Sequence, residues 1–168
     1  ALPCLACRSC ISMEEGTHPD FVELDAASNT GVDNIRQILE TSVYQPVMGK
    51  YRVFLIDEAH MLSKSAFNAF LKNLEEPAES VVFILATTEF DKIPATVRSR
   101  SFLSLFPSLS PQILYDFLVK VCRDFAVDFE PKALWFVVRQ SQGCPRDALN
   151  LLEQLMFCDV AISEKLAL

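Results

Sequence analysis

The chain has 168 residues, of which 51% are hydrophobic, and a net charge of -7. That supplies one good-sized packed domain or two small ones and argues against a broadly basic nucleic-acid surface. No apolar run approaches the ~18 residues of a membrane span, and the N-terminus shows no charged region followed by an apolar stretch and a cleavage site, so a soluble protein is expected.

Six cysteines are present. Cys4, Cys7 and Cys10 follow C-x2-C-x2-C, whereas Cys122, Cys144 and Cys158 stand singly and read as small buried hydrophobes. Clustered thiols without a secretory signal point to metal rather than to disulfides. Three thiolates at this spacing can wrap one zinc ion, but a structural zinc takes four ligands. Three possibilities follow: His18 completes the set, the fourth ligand precedes Ala1, or the cysteines are unmetallated. The second is favoured, since a histidine beside Pro19 reads as an ordinary loop residue.

Further along, residues 11–16 read as a short helical turn and 17–20 as a loop. Phe21, Val22, Glu23, Leu24 and Asp25 alternate as a strand does. A small-residue loop over 25–31 then feeds a helix from about Val32, with Val32, Ile35, Leu39 and Val43 on one face. Pro46 and Gly49 break the chain. Val53, Phe54, Leu55 and Ile56 predict a strand buried on both faces, as in a parallel sheet. Strand, helix and strand make the unit of such a sheet.

Asp57 and Glu58 end that second strand, where open α/β sheets bind ligands. Many strands simply end in solvated acids, so the pair alone is weak. The functional reading is a Walker B element: Asp57 holds the Mg2+ of a bound nucleotide through a water, and Glu58 orients or deprotonates the water that attacks the γ-phosphate.

Ser63 is a natural N-cap for a helix with Phe67, Phe70, Leu71 and Leu74 on one stripe, stopped at Pro77. Val81 to Ala86 form a second apolar strand ending in Thr87, Thr88 and Glu89. The crossover is long enough for a parallel, right-handed connection, which puts Thr87 and Thr88 at the same edge as Asp57 and Glu58. A hydroxyl there can contact both the γ-phosphate and the attacking water. Arg98 and Arg100 lie in a short polar loop, either a solvated surface or an arginine finger offered to a neighbour's triphosphate. Residues 102–111 are rich in serine and proline and mark a domain boundary.

Three helices are predicted beyond it, over 111–125, 131–141 and 145–157. Ile113, Leu114, Phe117, Leu118, Val121 and Phe125 form one stripe, with Leu134, Trp135, Val138, Leu149, Leu152 and Met156 supplying others. Arg146 falls in the first turn of the third helix, and an arginine at a helix N-terminus is a phosphate-binding arrangement. No G-x-x-x-x-G-K-[ST] occurs, so the chain as given is not expected to hydrolyse ATP by the P-loop mechanism.

These stretches together resemble the gamma/tau family of the bacterial DNA polymerase III clamp loader, AAA+ proteins. The likeness rests on the cysteine knuckle, on Glu23-Leu24-Asp25-Ala26-Ala27-Ser28-Asn29, on Leu55-Ile56-Asp57-Glu58-Ala59-His60-Met61-Leu62 and on Phe67-Asn68-Ala69-Phe70-Leu71-Lys72-Asn73-Leu74-Glu75-Glu76-Pro77. Leu85-Ala86-Thr87-Thr88-Glu89 and Arg146-Asp147-Ala148-Leu149 complete it. It implies an α/β fold: part of an AAA+ P-loop-type parallel-sheet domain over 1–106, with the cysteine knuckle at 4–18, then a three-helix lid over 107–168. By the same resemblance Asp57 and Glu58 are Walker B, Thr88 is sensor 1, Arg100 is the finger and Arg146 is sensor 2.

The resemblance further implies ATP, Mg2+ and Zn2+ as cofactors, with the P-loop and a fourth zinc-ligating cysteine lying ahead of Ala1 in a longer protein. It implies delta, delta prime and further gamma/tau subunits, the sliding clamp and primed DNA as partners, and a cytoplasmic location with no membrane association. Ser101 stands where the family's finger loop has cysteine. The alternative is a delta prime-type subunit that donates an arginine without turning over nucleotide; intact Asp57 and Glu58 favour the motor. A DEAH-type helicase shares only residues 57–60.

Overall fold

The computed structural model describes residues 3–28, 32–76 and 78–156, without the side chains of residues 32–34. The chain separates into two compact units, Ala1–Leu103 and Ser104–Leu168.

The first unit begins with α1, Arg8–Glu14. This helix starts three residues before the turn expected from Ile11, so Cys10 lies within it and Cys7 at its N-cap. It ends in a left-handed Gly16 (φ 67°), with Gly16 N–H donating to Met13 O at 3.2 Å and Thr17 N–H to Ser12 O at 2.8 Å. That reciprocal pair satisfies two of the helix's last carbonyls.

Three strands follow, β1 (Phe21–Asp25), β2 (Arg52–Asp57) and β3 (Val81–Leu85), in a parallel sheet of order β1-β2-β3. The register pairs Val22 with Phe54 and Phe54 with Phe83, and Leu24 with Ile56 and Ile56 with Leu85. Residues in register share a face, so these form the packed side. They meet Ile35 and Ile38 of α2 (Val32–Thr41) and Phe67 and Phe70 of α3 (Lys64–Glu75). Phe54 stacks on Phe83 at 5.4 Å, and Phe70 meets Phe83 edge-on at 4.7 Å. The short α4, Ala95–Arg98, adds the buried Val97.

β2 was expected to be buried on both faces, and it is not. Val53, Leu55, Val82 and Ile84 share the other face, where Val82 is 38% and Ile84 45% exposed. Among the described residues α2, α3 and α4 all contribute to the core on the first face. Val43 is likewise off the predicted stripe, being exposed beyond the end of α2. Thr41 Oγ1 and Ser42 Oγ donate to the carbonyls of Ile38 and Leu39, at 2.8 and 2.6 Å, and close the helix there, as local side-chain bonds to the backbone do. Ile38 takes the buried place. Ser63 caps α3 as expected, accepting from Ala66 N–H at 3.2 Å. Asn29, Thr30, Gly31 and the predicted stop at Pro77 lie outside the described residues.

The second unit holds α5 (Pro111–Asp124), α6 (Pro131–Gln140) and α7 (Pro145–Met156). Ser110 caps α5 through Ile113 N–H at 3.4 Å, and proline occupies the first turn of α5 and α6, where its missing N–H costs nothing. The core consists of Leu114, Leu118 and Cys122, Ala133, Leu134, Val137 and Val138, and Ala148 and Leu152. The predicted α5 stripe is therefore rotated by one residue: Ile113, Phe117 and Phe125 face solvent. Leu149 is likewise exposed while Ala148 is buried. Burial pushes the Cys122 thiol up from its ordinary value. Phe157 and Cys158 lie outside the described residues.

One glycine fixes where α7 starts. Gly143 has φ 84°, its carbonyl accepts from Leu109 N–H at 3.0 Å, and a Cβ there would stand 2.7 Å from Leu109 O. Only glycine fits both the left-handed conformation and the approach.

Candidate functional site

The carboxyl ends of the three strands are knitted together by the backbone. Ala26 N–H donates to Asp57 O, Ala86 N–H to Ile56 O and Ala59 N–H to Ala86 O, each at 2.9 Å. Asp57 is the last residue of β2, and the chain then turns sharply through Glu58, which takes a left-handed φ of 47°. A non-glycine residue in that region marks a conformation imposed by its surroundings.

That turn brings the predicted residues together. Glu58 N–H donates to Asp57 Oδ1 at 2.9 Å, and Thr88 Oγ1 donates to Glu58 Oε2 at 3.2 Å. Thr87 is drawn aside: its hydroxyl stands 3.0 Å from His60 Nδ1 and accepts from Glu89 N–H at 3.0 Å. Asp57 is exposed and Glu58 half-buried, so both can reach a ligand at the strand ends. Asp25 lies opposite Asp57 in register, but its carboxylate accepts from Ala27 N–H at 2.8 Å and from Ser28 Oγ at 3.0 Å, which turns it into its own loop.

Of the three predicted arginines, Arg98 and Arg100 bond to groups outside this cluster. Arg100 donates to Glu75 Oε1 and to Thr96 O, each at 2.8 Å. Arg98 sits 5.1 Å over the Phe90 ring and 3.4 Å from Asp91 Oδ1. Arg146 is exposed in the first turn of α7, in the second unit.

Two further groups have partners that local sequence does not announce, His60 beside this cluster and Asp20 ahead of β1 at the other end of the strands. The His60 ring lies between Glu58 and Glu89, with Nδ1 3.3 Å from Glu58 Oε2 and Nε2 3.3 Å from Glu89 Oε1. Lys92 Nζ donates to Glu89 Oε1 at 2.8 Å and holds that carboxyl below its ordinary value. Asp20 is 1% exposed and accepts from three successive backbone N–H groups, Val47 at 2.6 Å and Met48 and Gly49 at 2.7 Å. Burial pushes its carboxyl up, but those three donors outweigh it and hold the group below its ordinary value. Nothing in the local sequence announces a bond that spans 27 residues.

The Sγ atoms of Cys4, Cys7 and Cys10 lie within 4.8 Å of one another, and those of Cys4 and Cys10 are 3.7 Å apart. Tetrahedral zinc with Zn–S bonds of about 2.3 Å places its sulfurs about 3.8 Å apart, so the thiols fit such an ion. Backbone N–H groups of Ala6 and Cys7 lower the Cys4 thiol to about 7. Leu5 N–H acts the same way on Cys10, but the Cys7 and Cys4 thiols beside it push it up overall. His18 is not part of the cluster. Its Nδ1 accepts from Asp20 N–H at 3.1 Å and its Nε2 faces Ser9 Oγ at 2.8 Å, so both ring nitrogens are engaged.

A parallel sheet with an acidic pair at the end of one strand, threonines at the end of the next and a helical unit following it defines an α/β fold of the AAA+ type. The RuvB Holliday junction branch migration motor of Thermotoga maritima shares this fold at a TM-score of 0.71 and 20% identity, covering 94% of this chain and 53% of that one. The family model described as DNA polymerase III, delta subunit, matches residues 1–110, and the chain belongs to that family.

Among curated relatives, DNA polymerase III subunit gamma of Buchnera aphidicola subsp. Schizaphis graminum is 45% identical over 156 residues, which are 93% of this chain and 43% of that protein. DNA polymerase III subunit tau of Escherichia coli K12 is 42% identical over 92% of this chain and 24% of its own length. A DNA polymerase III gamma subunit-related protein of Thermotoga maritima has a TM-score of 0.51 at 27% identity, over 62% of this chain and 38% of that one. The chain thus spans less than half the length of these relatives. No helix among the described residues is long and apolar enough to cross a membrane.

Proposed function

We propose that the chain forms part of a gamma/tau-type subunit of a bacterial clamp loader, which uses ATP to place a sliding clamp on primed DNA during chromosomal replication. The observation that carries this is the convergence of Asp57, Glu58 and Thr88 at the ends of two adjacent parallel strands, with Thr88 Oγ1 on Glu58 Oε2. The names borne by its relatives support it, and an intact Glu58 favours a subunit that turns nucleotide over against one that only donates an arginine.

In this reading a nucleotide triphosphate lies along the strand ends. Asp57 gives one oxygen to Glu58 N–H, and its other oxygen would take a water of the Mg2+, which neutralises charge on the phosphates. Glu58 orients the attacking water and takes its proton, and the Thr88 hydroxyl, which donates to Glu58 in the structure, would turn its one proton to the γ-phosphate when nucleotide is bound. Arg100 exchanges Glu75 for the triphosphate of a neighbouring subunit, where a guanidinium stabilises developing charge. Arg146, at the start of α7, binds the γ-phosphate of its own nucleotide. Residues 1–106 serve as the nucleotide-binding domain and 107–168 as its lid. Cys4, Cys7 and Cys10 would hold Zn2+ as a structural clip near the start of that domain. Delta, delta prime and further gamma/tau copies are the partners, in the cytoplasm.

The test uses a form extended to the length of the relatives and assembled with its partner subunits. That form should turn over ATP, and Glu58→Gln should still bind ATP while turnover falls about 100-fold or more. If the extended form binds no nucleotide, the arginine-donor role of a delta prime-type subunit replaces this one.

A further inference from the structure

The His60 side chain is 7% exposed and has a carboxylate at each end of its ring. Nδ1 stands 3.3 Å from Glu58 Oε2 and 3.0 Å from Thr87 Oγ1, and Nε2 stands 3.3 Å from Glu89 Oε1. An ionised carboxylate only accepts hydrogen bonds, and a neutral imidazole donates from one nitrogen at a time. In the neutral ring one proton therefore stands between two acceptors, whereas a doubly protonated ring would donate to both.

The rest of the network accommodates either choice. With the proton on Nε2, Glu89 receives it, the Thr87 hydroxyl donates to Nδ1, and Glu58 faces a lone pair and keeps only the Thr88 hydroxyl. With the proton on Nδ1, Glu58 receives it, the Thr87 hydroxyl turns away, and Glu89 keeps the Lys92 ammonium at 2.8 Å.

We infer that His60 is the positioning residue for Glu58. Its ring tautomer either grips the Glu58 carboxylate or leaves it able to swing toward the strand ends, and Glu89 decides which by competing for the same proton. This rests on the reading of Glu58 as the group that activates water. Glu89 leads into the turn of Phe90 and Asp91, the two residues that hold Arg98. The competitor for the His60 proton is thus carried by the segment that also anchors the arginine loop.

Two measurements test the sharing. The first is 15N NMR of the imidazole rings in the 168-residue chain, recorded at a pH where the spectra show neutral rings; the chain has two histidines, so that His60 is identified by its loss in His60→Asn. Glu89→Ala should move the ring proton from Nε2 to Nδ1, and an unchanged tautomer would overturn the inference whether or not the protein turns over nucleotide. The second is turnover in the extended, assembled form. Glu89→Ala should lower kcat about 5-fold by leaving Glu58 gripped, with the KM for ATP within about twofold. Adding His60→Ala to Glu89→Ala should restore kcat to within about twofold of the parent. A change in KM alone, or a double variant no faster than Glu89→Ala, would overturn it. If Glu58→Gln leaves turnover intact, the role given to Glu58 fails, and the tautomer measurement still decides the sharing.

Discussion

The two units meet the same demand, hiding an apolar face from water, with different completeness. In the helical unit each of α5, α6 and α7 has one apolar stripe, and the three stripes meet around Leu118, Leu134, Val137 and Leu152, all 1% exposed or less. In the sheet unit α2 and α3 cover the face that carries Phe54, Ile56 and Phe83, while Val82 and Ile84 stand partly exposed on the other. A helix has one stripe to bury, whereas a parallel sheet has two faces and normally covers both. Asp57, Glu58 and Thr88, at the ends of two adjacent strands, are held by backbone bonds and by one another.

The largest expected effect is therefore a core truncation in the helical unit. Leu134 is fully buried, and Leu134→Ala removes packing that three helices share. A loss of about 3 kcal/mol is expected, within the span of ~2–5 kcal/mol for such truncations, read from the midpoint of denaturant unfolding. A cost below about 1 kcal/mol would mean that the unit is loosely packed and that the contrast with the sheet is smaller than drawn.

What could be read from the sequence divides along the same line. The three strands and the meeting of Asp57, Glu58 and Thr88 were legible, because apolar runs ending in polar residues fix both the strand and its end. The helices of the second unit were legible as elements, but the buried face of α5 was not. Apolar residues stand at both 113 and 114 and at both 117 and 118, so periodicity alone cannot choose between adjacent stripes, and Cys122 rather than Val121 or Phe125 settles the matter. α1 was shortened because its first turn is made of Arg8, Ser9 and Cys10, which carry no apolar pattern. The shared His60 proton and the Arg100–Glu75 pair were out of reach, since both depend on residues 25 or more positions away.

Asp20 gives a second, smaller test, on the cysteine-bearing end of the sheet unit. Its two oxygens accept three backbone N–H groups. Asp20→Asn replaces one accepting oxygen with a donor that faces N–H groups, and about 2 kcal/mol should be lost. The pH dependence follows from the direction of its shift: the folded carboxyl lies below its ordinary value of 3.8. The stabilisation is fully present above that unfolded value and is lost as pH falls through the lower folded one. Thermal unfolding followed from pH 6 downward should show an acid-labile component in the parent that Asp20→Asn lacks. An equal acid response in both would place that component elsewhere.

The smallest effect is expected where the comparison is sharpest, on the open face of the sheet. Ile84 is 45% exposed on β3 with Val82 two residues before it on the same side. Ile84→Ser removes apolar surface that already meets water, so stability should change by about 0.5 kcal/mol or less, while fluorescence of an apolar dye bound to this face should fall. A buried isoleucine truncated at the same strand position would cost several times more, on the order of 2–5 kcal/mol. If Ile84→Ser costs that much in the 168-residue chain, the face is covered in solution, and the two units differ in how they bury apolar surface only in the number of layers each uses.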